Sequence, residues 1–294
     1  MFKDSKIYIA GHTGLLGAAL FDKLKGYKKI VTKSSNELDL TKRECIDEFF
    51  KKERPEYVFL SAGLTGGIMA NKNFPATFFH TNIAIQDNIF EAAQKYEVKN
   101  LVFYGSSCIY PKYCQQPIKE KYLMTGELEG TSEAYAAAKI AGIFACKAYN
   151  SQFKTKRFIA LIPNSMYGPH DTFDMENSHV VAALIKKLHE AKSQGEKKVV
   201  FWGSGTPRRE LIFSSDVAQA SIFAMNNADR LENSCYNVGT GIDYSIKEIA
   251  KIIVSIVNFK GKMEWDITKP DGAPRKVLDS HRFFSLGWKP LITL

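Results

Sequence analysis

The sequence predicts an α/β protein: a doubly wound parallel sheet with a smaller α/β unit interleaved into it. Three observations predict it. Short, continuous apolar runs alternate with stretches of helical spacing through the first half of the chain. The first of these runs leads directly into Gly11-His12-Thr13-Gly14-Leu15-Leu16-Gly17, and a helical pattern follows. After Pro163 the rhythm changes to shorter elements separated by Asn, Gly, Pro and Asp.

Taken in order, Lys6–Ala10 and residues 28–32, 57–62, 100–105 and 157–162 read as strands. Their β-forming apolar residues run on without alternation, as strands covered on both faces require. Between them, Leu15–Leu24 and residues 43–52, 77–96 and 133–153 repeat apolar positions at helical spacing. A loop over 163–178 leads to a helix near 179–193, a strand VVFW at 199–202 and a GSGTP turn. Residues 216–226 are helical again, 235–239 form a strand, 245–257 an amphipathic helix, and PDG at 270–272 a turn. The dinucleotide-binding unit is expected over 1–163 with a returning segment near 211–243. The substrate unit is expected over 164–210 and 244–294.

Composition narrows the function. Lys plus Arg outnumber Asp plus Glu by 40 to 31, a net charge of +9 over 294 residues. The basic residues are scattered and interrupted by acids, which suits a solvated surface biased toward small anionic ligands and argues against nucleic acid. Cys45, Cys108, Cys114, Cys146 and Cys235 form an odd set with no CxxC pair. That predicts neither a disulfide framework nor a metal site, and points to a reducing cytoplasm. The apolar stretch over 7–20 contains His12 and three glycines, which argues against a signal-peptide core. No apolar run reaches the ~20 residues a membrane helix needs.

The spacing Gly11, Gly14, Gly17 between a first strand and a first helix lets the backbone approach a pyrophosphate at the helix N-terminus. The end of the second strand selects the dinucleotide. An acid there accepts the ribose 2′-hydroxyl of NAD, whereas a 2′-phosphate prefers cations and hydroxyls. Thr32, Lys33, Ser34, Ser35 and Asn36 carry no carboxylate before Glu37. NADPH is therefore expected; the other reading is that Lys33 is simply solvated.

Ser106 and Cys108 follow the fourth strand in YGSSCIYP. In an extended stretch their side chains would point the same way, roughly 6–7 Å apart. Tyr135 and Lys139 share a helix face in TSEAYAAAKIAG. A phenol titrates near pH ~10, and a neighbouring ammonium brings it toward working range. On its own Cys108 reads more readily as core packing, and His179 as a surface or capping residue at a helix start.

A glycine loop, a serine after the fourth strand and a Tyr-Lys pair together resemble the extended short-chain dehydrogenase/reductases. Longer stretches resemble the GDP-L-fucose synthase family of epimerase-reductases: GHTGLLG, GGIMAN, YGSSCIYPK, YAAAKIAG, IPNSMYGPHD, SHV, WGSGTPRRE, NVGTGIDYSIKE and KPDGAPRK, in order along nearly the whole chain. The resemblance implies a Rossmann-type sheet, NADPH, a GDP-4-keto-sugar substrate and a homodimer. It implies that Ser106 and Tyr135 hold the 4-keto oxygen, Tyr135 donates the proton and Lys139 binds the nicotinamide ribose. Cys108 and His179 would epimerise C3 and C5. The cofactor would be lined by Gly11, Thr13, Gly14, Leu15, Leu16, Gly17, Lys33, Ser35, Asp39, Leu40, Ala62, Gly63, Tyr104, Gly105, Tyr135, Lys139, Pro163, Asn164, Met166 and His179. The GDP-sugar would meet Ser107, Asn164, Val180, Lys187, Trp202, Arg209 and Asp271.

The chain departs from that pattern in places. Thr13 and Ser35 stand where the family carries arginines for the 2′-phosphate, and Lys33 is the residue available to replace them. Phe213-Ser214-Ser215-Asp216 replaces HVDD, while Ala134 and Gly130 replace prolines. In the family these lie near the sugar, which leaves a dedicated 4-ketoreductase on another GDP-4-keto sugar, such as a heptose, as the alternative.

Overall fold

Side chains alternate across a strand, so a strand that is apolar at every position needs cover on both faces. The computed structural model, which describes all residues except 175–177 and 270, provides that cover. The first half runs β1 (Lys6–Ala10), α1 (Leu15–Leu24), β2 (Lys29–Lys33), α2 (Arg43–Glu53) and β3 (Tyr57–Leu60). It continues through α3 (Ile68–Asn73), α4 (Pro75–Lys95), β4 (Asn100–Tyr104), α5 (Glu133–Gln152) and β5 (Phe158–Pro163). The second half begins with β6 (Ser165–Tyr167), α6 (Val180–Ser193), β7 (Lys198–Trp202), β8 (Arg208–Phe213) and α7 (Ser214–Asn226). Then come β9 (Cys235–Val238), β10 (Asp243–Ser245), α8 (Ile246–Val257), β11 (Lys262–Asp266), β12 (Arg275–Lys276) and α9 (His281–Phe284).

The main sheet has six parallel strands in the order β2-β1-β3-β4-β5-β9. Ile7, Ile9, Phe59, Val102 and Leu161 pack with Leu16 and Leu20 of α1 and Val217 and Ala220 of α7. The intervening Tyr8, Val58, Leu101 and Phe103 pack with Phe50 of α2, Ile89 and Phe90 of α4 and Ile143 of α5. The chain leaves β1 toward β2 on one side and returns as β3 on the other. That reversal opens a crevice at the carboxyl ends of the strands, where ligands bind in such sheets.

The second half has its own core, in which Leu184 and Leu188 of α6, Phe201 of β7, Leu211 of β8 and Ile249 and Ile253 of α8 meet. A mixed sheet β10-β8-β12, with β6 also on β8, and a parallel β7–β11 pair support it. α8 begins with a capping box in which Ser245 and Glu248 satisfy each other's backbone amides.

Several elements exceed the sequence expectations. α3, β6, β8, β10, β11, β12 and α9 are not anticipated, and α7 starts at Ser214 rather than 216. β8 and β11 carry charges at alternate or adjacent positions (RRELIF, KMEWD), so neither shows an apolar run. No helix among the described residues is long and apolar enough to cross a membrane.

Candidate active site

The glycine loop turns at Gly11, which has φ +83°, and closes with the Gly14 amide donating to the Gly11 carbonyl at 3.2 Å. A side-chain carbon on Gly11 would lie 2.7 Å from the Ala62 backbone, and one on Gly17 would overlap the Gly11 carbonyl. The loop is thus pressed onto the start of α1, where Leu15 and Leu16 begin the helix and its first amides lack intrahelical partners. This cradle fits a dinucleotide pyrophosphate. Ala62 and Gly63 follow β3, Tyr104 and Gly105 end β4, and Pro163 to Met166 follow β5, all at the same edge of the sheet. Asp39 and Leu40 lie in the turn after β2, where the Asp39 carboxylate accepts from the Thr41 amide at 2.9 Å.

Thr13 and Ser35 are exposed. The register Ala10↔Lys33 sets Lys33 beside the glycine loop. Its ammonium is not simply solvated: it donates to Glu37 at 3.0 Å. Although four residues on, Glu37 also accepts from the Ser34 amide at 2.9 Å and hydroxyl at 2.8 Å, which returns a carboxylate to the end of β2.

Ser106 is in extended backbone, but Cys108 lies in the 3-10 turn that follows, not in the continuous extended stretch the alternation argument assumes. Ser106 caps a short 3-10 turn over Ser107–Ile109, and its Oγ accepts from the Cys108 amide at 3.3 Å. The turn keeps both side chains at one spot by a different route. Tyr135 reaches the same Ser106 hydroxyl from α5, and burial pushes its phenol well above the usual range, with Cys108 adding to the rise and Ser106 opposing it. Lys139, one turn on, is 5% exposed, with Nζ 5.0 Å from the Phe103 ring centre and 5.9 Å from that of Tyr135. Burial lowers its pKa to about 8.

Cys108 behaves differently. Burial would raise its thiol, yet Lys276 (Nζ to Sγ 4.0 Å), hydrogen bonds with Ser106 and Ser132, and Arg209 together bring it below the usual thiol value. Lys276 is the residue the sequence reading misses. It lies in KPDGAPRK, but nothing local says that it returns to the β4 loop.

The return is held by backbone pairing. The Ile118 amide donates to Val277 O at 2.8 Å, and the Asp279 amide to Ile118 O at 2.8 Å. Buried Glu210 accepts from the Leu278 amide at 2.7 Å, from Gly241 at 2.6 Å and from Asn164. The β8–β12 register pairs Arg209 with Lys276.

The remaining residues divide. Asn164 is buried with its amide committed to Glu210 and the Ser165 amide, so it faces the protein rather than a ligand. Arg209 donates to Arg208 O at 2.8 Å and Ala273 O at 2.7 Å, and burial lowers its pKa while Cys108 and Asp271 oppose this. Asp271 accepts from the Ser204 amide at 2.9 Å and hydroxyl at 2.6 Å, tying two loops together; the turn expected at 270–272 falls partly outside the described residues. Trp202 is 67% exposed on β7. Lys187 sits partly buried on α6, 5.8 Å from the Phe201 ring centre. His179 is exposed at the N-cap of α6 beside Val180; burial raises the nearby Asp171 carboxyl, and the Thr172 amide and His179 oppose that rise. Ser107 is buried within the turn. Ser214 and Asp216 are also buried, and Asp216 accepts from the Leu291 and Ile292 amides at 3.1 and 2.9 Å. No cluster of metal-ligating side chains exists among the described residues.

A glycine-loop sheet edge facing a Ser-Tyr-Lys set defines a nucleotide-dependent oxidoreductase site, and the chain belongs to the NAD dependent epimerase/dehydratase family, whose model matches residues 7–239. It is similar to GDP-L-fucose synthase 1 of Arabidopsis thaliana, 46% identical over 99% of this chain and 90% of that protein. Among solved structures it is similar to a GDP-6-OMe-4-keto-L-xylo-heptose reductase from C. jejuni, with TM-score 0.93, 38% identity and coverage of 100% and 95% of the two chains. MlghC, a GDP-mannoheptose C4 reductase from Campylobacter jejuni with NADP bound, gives TM-score 0.91 and 41% identity over 100% and 96%.

Proposed function

We infer that this chain is an NADPH-dependent epimerase-reductase that converts GDP-4-keto-6-deoxy-D-mannose, or a close GDP-4-keto deoxysugar, to GDP-L-fucose or its counterpart. The observation that carries this reading is the single cluster in which an acidified thiol, Cys108, shares Ser106 with a protonated phenol, Tyr135. A ketone at C4 acidifies the hydrogens on C3 and C5. Cys108 removes them, and His179 returns a proton on the other face. Ser106 and Tyr135 hold the ketone oxygen, and Tyr135 protonates it as reduction proceeds. Bound NADPH supplies the hydride. Lys139 keeps positive charge beneath Tyr135 and holds the nicotinamide ribose.

Lys187 and Arg209 serve the diphosphate, Trp202 offers a flat face to the base, and Ser107, Val180 and Asp271 complete the substrate side. The names of similar proteins support the substrate class. Residues 164–210 and 244–294 form the substrate unit, although Leu278, Phe283 and Trp288 pack into the main-sheet cores. The enzyme acts in the cytoplasm as a homodimer. Phe79 of α4 and Phe144 of α5 leave apolar surface exposed on the two helices that would form a four-helix interface.

Product identity tests the reading. NMR after incubation with NADPH and GDP-4-keto-6-deoxymannose in D₂O should show deuterium at C3 and C5 and a fully inverted, reduced sugar. Reduction without exchange, or turnover only of a GDP-4-keto-heptose, would establish the alternative, a dedicated 4-ketoreductase. The heptose-reductase neighbours and the Phe213–Ser215 replacement favour that second reading.

A further inference from the structure

We propose that Glu37 limits the margin by which this chain favours NADPH over NADH, by occupying, as an internal anion, the donors at the end of β2 that an adenosine 2′-phosphate would use. The proposal rests on the reading of the glycine loop as a dinucleotide site. One Glu37 oxygen takes the Lys33 ammonium at 3.0 Å, and the other takes the Ser34 amide at 2.9 Å and the Ser34 hydroxyl at 2.8 Å. An ammonium, a hydroxyl and a backbone N–H converging on one anion are the donor types that bind phosphate. The turn is closed by the Glu37 and Leu38 amides, which donate to Ser34 O at 3.1 and 3.0 Å. Through the Ala10↔Lys33 register it lies next to the glycine loop.

The surrounding charges leave Lys33 as the cation this strand end offers. Thr13 and Ser35 contribute only hydroxyls. Asp39 is held by Thr41 and lies 3.9 Å from Lys42. The three donors also draw the Glu37 carboxyl down to about 2, the Ser34 amide and hydroxyl first and Lys33 after them. Its charge therefore persists at any working pH.

A 2′-phosphate carries close to two negative charges. To bind here it must displace Glu37 from Lys33 or lie against a carboxylate, and either route weakens NADPH. A 2′-hydroxyl does not compete for Lys33, so NADH is spared. The Glu37 side chain is 53% exposed and can leave without disturbing the core.

The test is fluorescence titration of the purified protein with NADPH and NADH in the absence of sugar. Glu37→Gln keeps the side chain's size and removes its charge. It should tighten NADPH roughly tenfold while NADH stays within about twofold, because charged phosphate contacts are freed and neutral ones are not. Lys33→Ala should weaken NADPH and abolish the gain in the Lys33→Ala/Glu37→Gln double variant. Unchanged or weaker NADPH binding in Glu37→Gln overturns the proposal, as does an equal gain in the Lys33→Ala background. If neither nucleotide binds the unaltered protein, the dinucleotide reading fails and the proposal falls with it.

Discussion

Tyr135 and Cys108 touch the same serine, yet the protein treats them in opposite ways. Burial drives both toward the neutral, protonated form. At Tyr135 it goes unanswered: Cys108 reinforces it and only Ser106 opposes it. At Cys108 it is overruled, first by the Lys276 ammonium at 4.0 Å, then by hydrogen bonds with Ser106 and Ser132, and last by Arg209. Two groups with pKa values pushed in opposite directions mark an acid and a base. The phenol keeps its proton to give away, and the thiol gives up its own more readily than an ordinary cysteine does. The largest part of the difference comes from the second half of the chain, whose Lys276 reaches Cys108 and is not among the groups that act on Tyr135.

If that division holds, the largest effect should come from Tyr135→Phe. NADPH oxidation should fall by about 10³–10⁴-fold, while deuterium exchange beside the ketone continues. Equal loss of both activities would merge the two halves. Cys108→Ser should produce the converse, with exchange down roughly 10²-fold and reduction retained, since a hydroxyl ionises far less readily than a thiol. NMR of the sugar product reads both results.

Lys276→Met sharpens the comparison. The thiol's pKa should rise, so exchange and iodoacetamide labelling, both of which increase as pH rises through that value, should shift to higher pH. At pH 7 each should slow by about tenfold. Reduction should change much less, and an unshifted labelling profile would remove Lys276 from the account.

Lys139→Met is read in stability rather than in rate. The folded Lys139 titrates near 8, below its ordinary value of 10.5. Between those values the unfolded chain holds a proton that the folded one lacks, so stability rises with pH across about 8 to 10.5. Below pH 8 the burial penalty is present in full. The variant should therefore melt several degrees higher at pH 7, consistent with roughly 3 kcal/mol, and the gain should fade toward pH 10. A constant gain would point to packing instead.

The first five strands of the main sheet and their helices are legible in the sequence because each carries its own signal. YVFL and FIALIP are apolar throughout, KIYIA is apolar after Lys6, and α1 has the predicted bounds. β8 is hidden because its arginines and Glu210 interrupt the apolar pattern, though Glu210 is fully buried and accepts from three segments. Ser106, Cys108, Tyr135 and Lys139 stand in two short motifs. Lys276 has no such neighbourhood: its place beside Cys108 follows from pairing across Ile118 and Val277, which no local spacing encodes. Likewise the hydrogen bonds from Lys33 and Ser34 to Glu37 depend on how the turn after β2 closes.

Lys276 and Cys108 lie 168 residues apart along the chain. A ribosome therefore finishes the β4 loop long before it delivers the ammonium that makes the thiol acidic. Until residues 275–279 dock along the segment at 116–118, Cys108 is an ordinary, poorly nucleophilic cysteine. Oxidants and electrophiles attack thiolates, so the newly made chain is shielded at this position while it is still folding. Chemical vulnerability and competence for catalysis thus depend on one contact, that of Lys276 with Cys108.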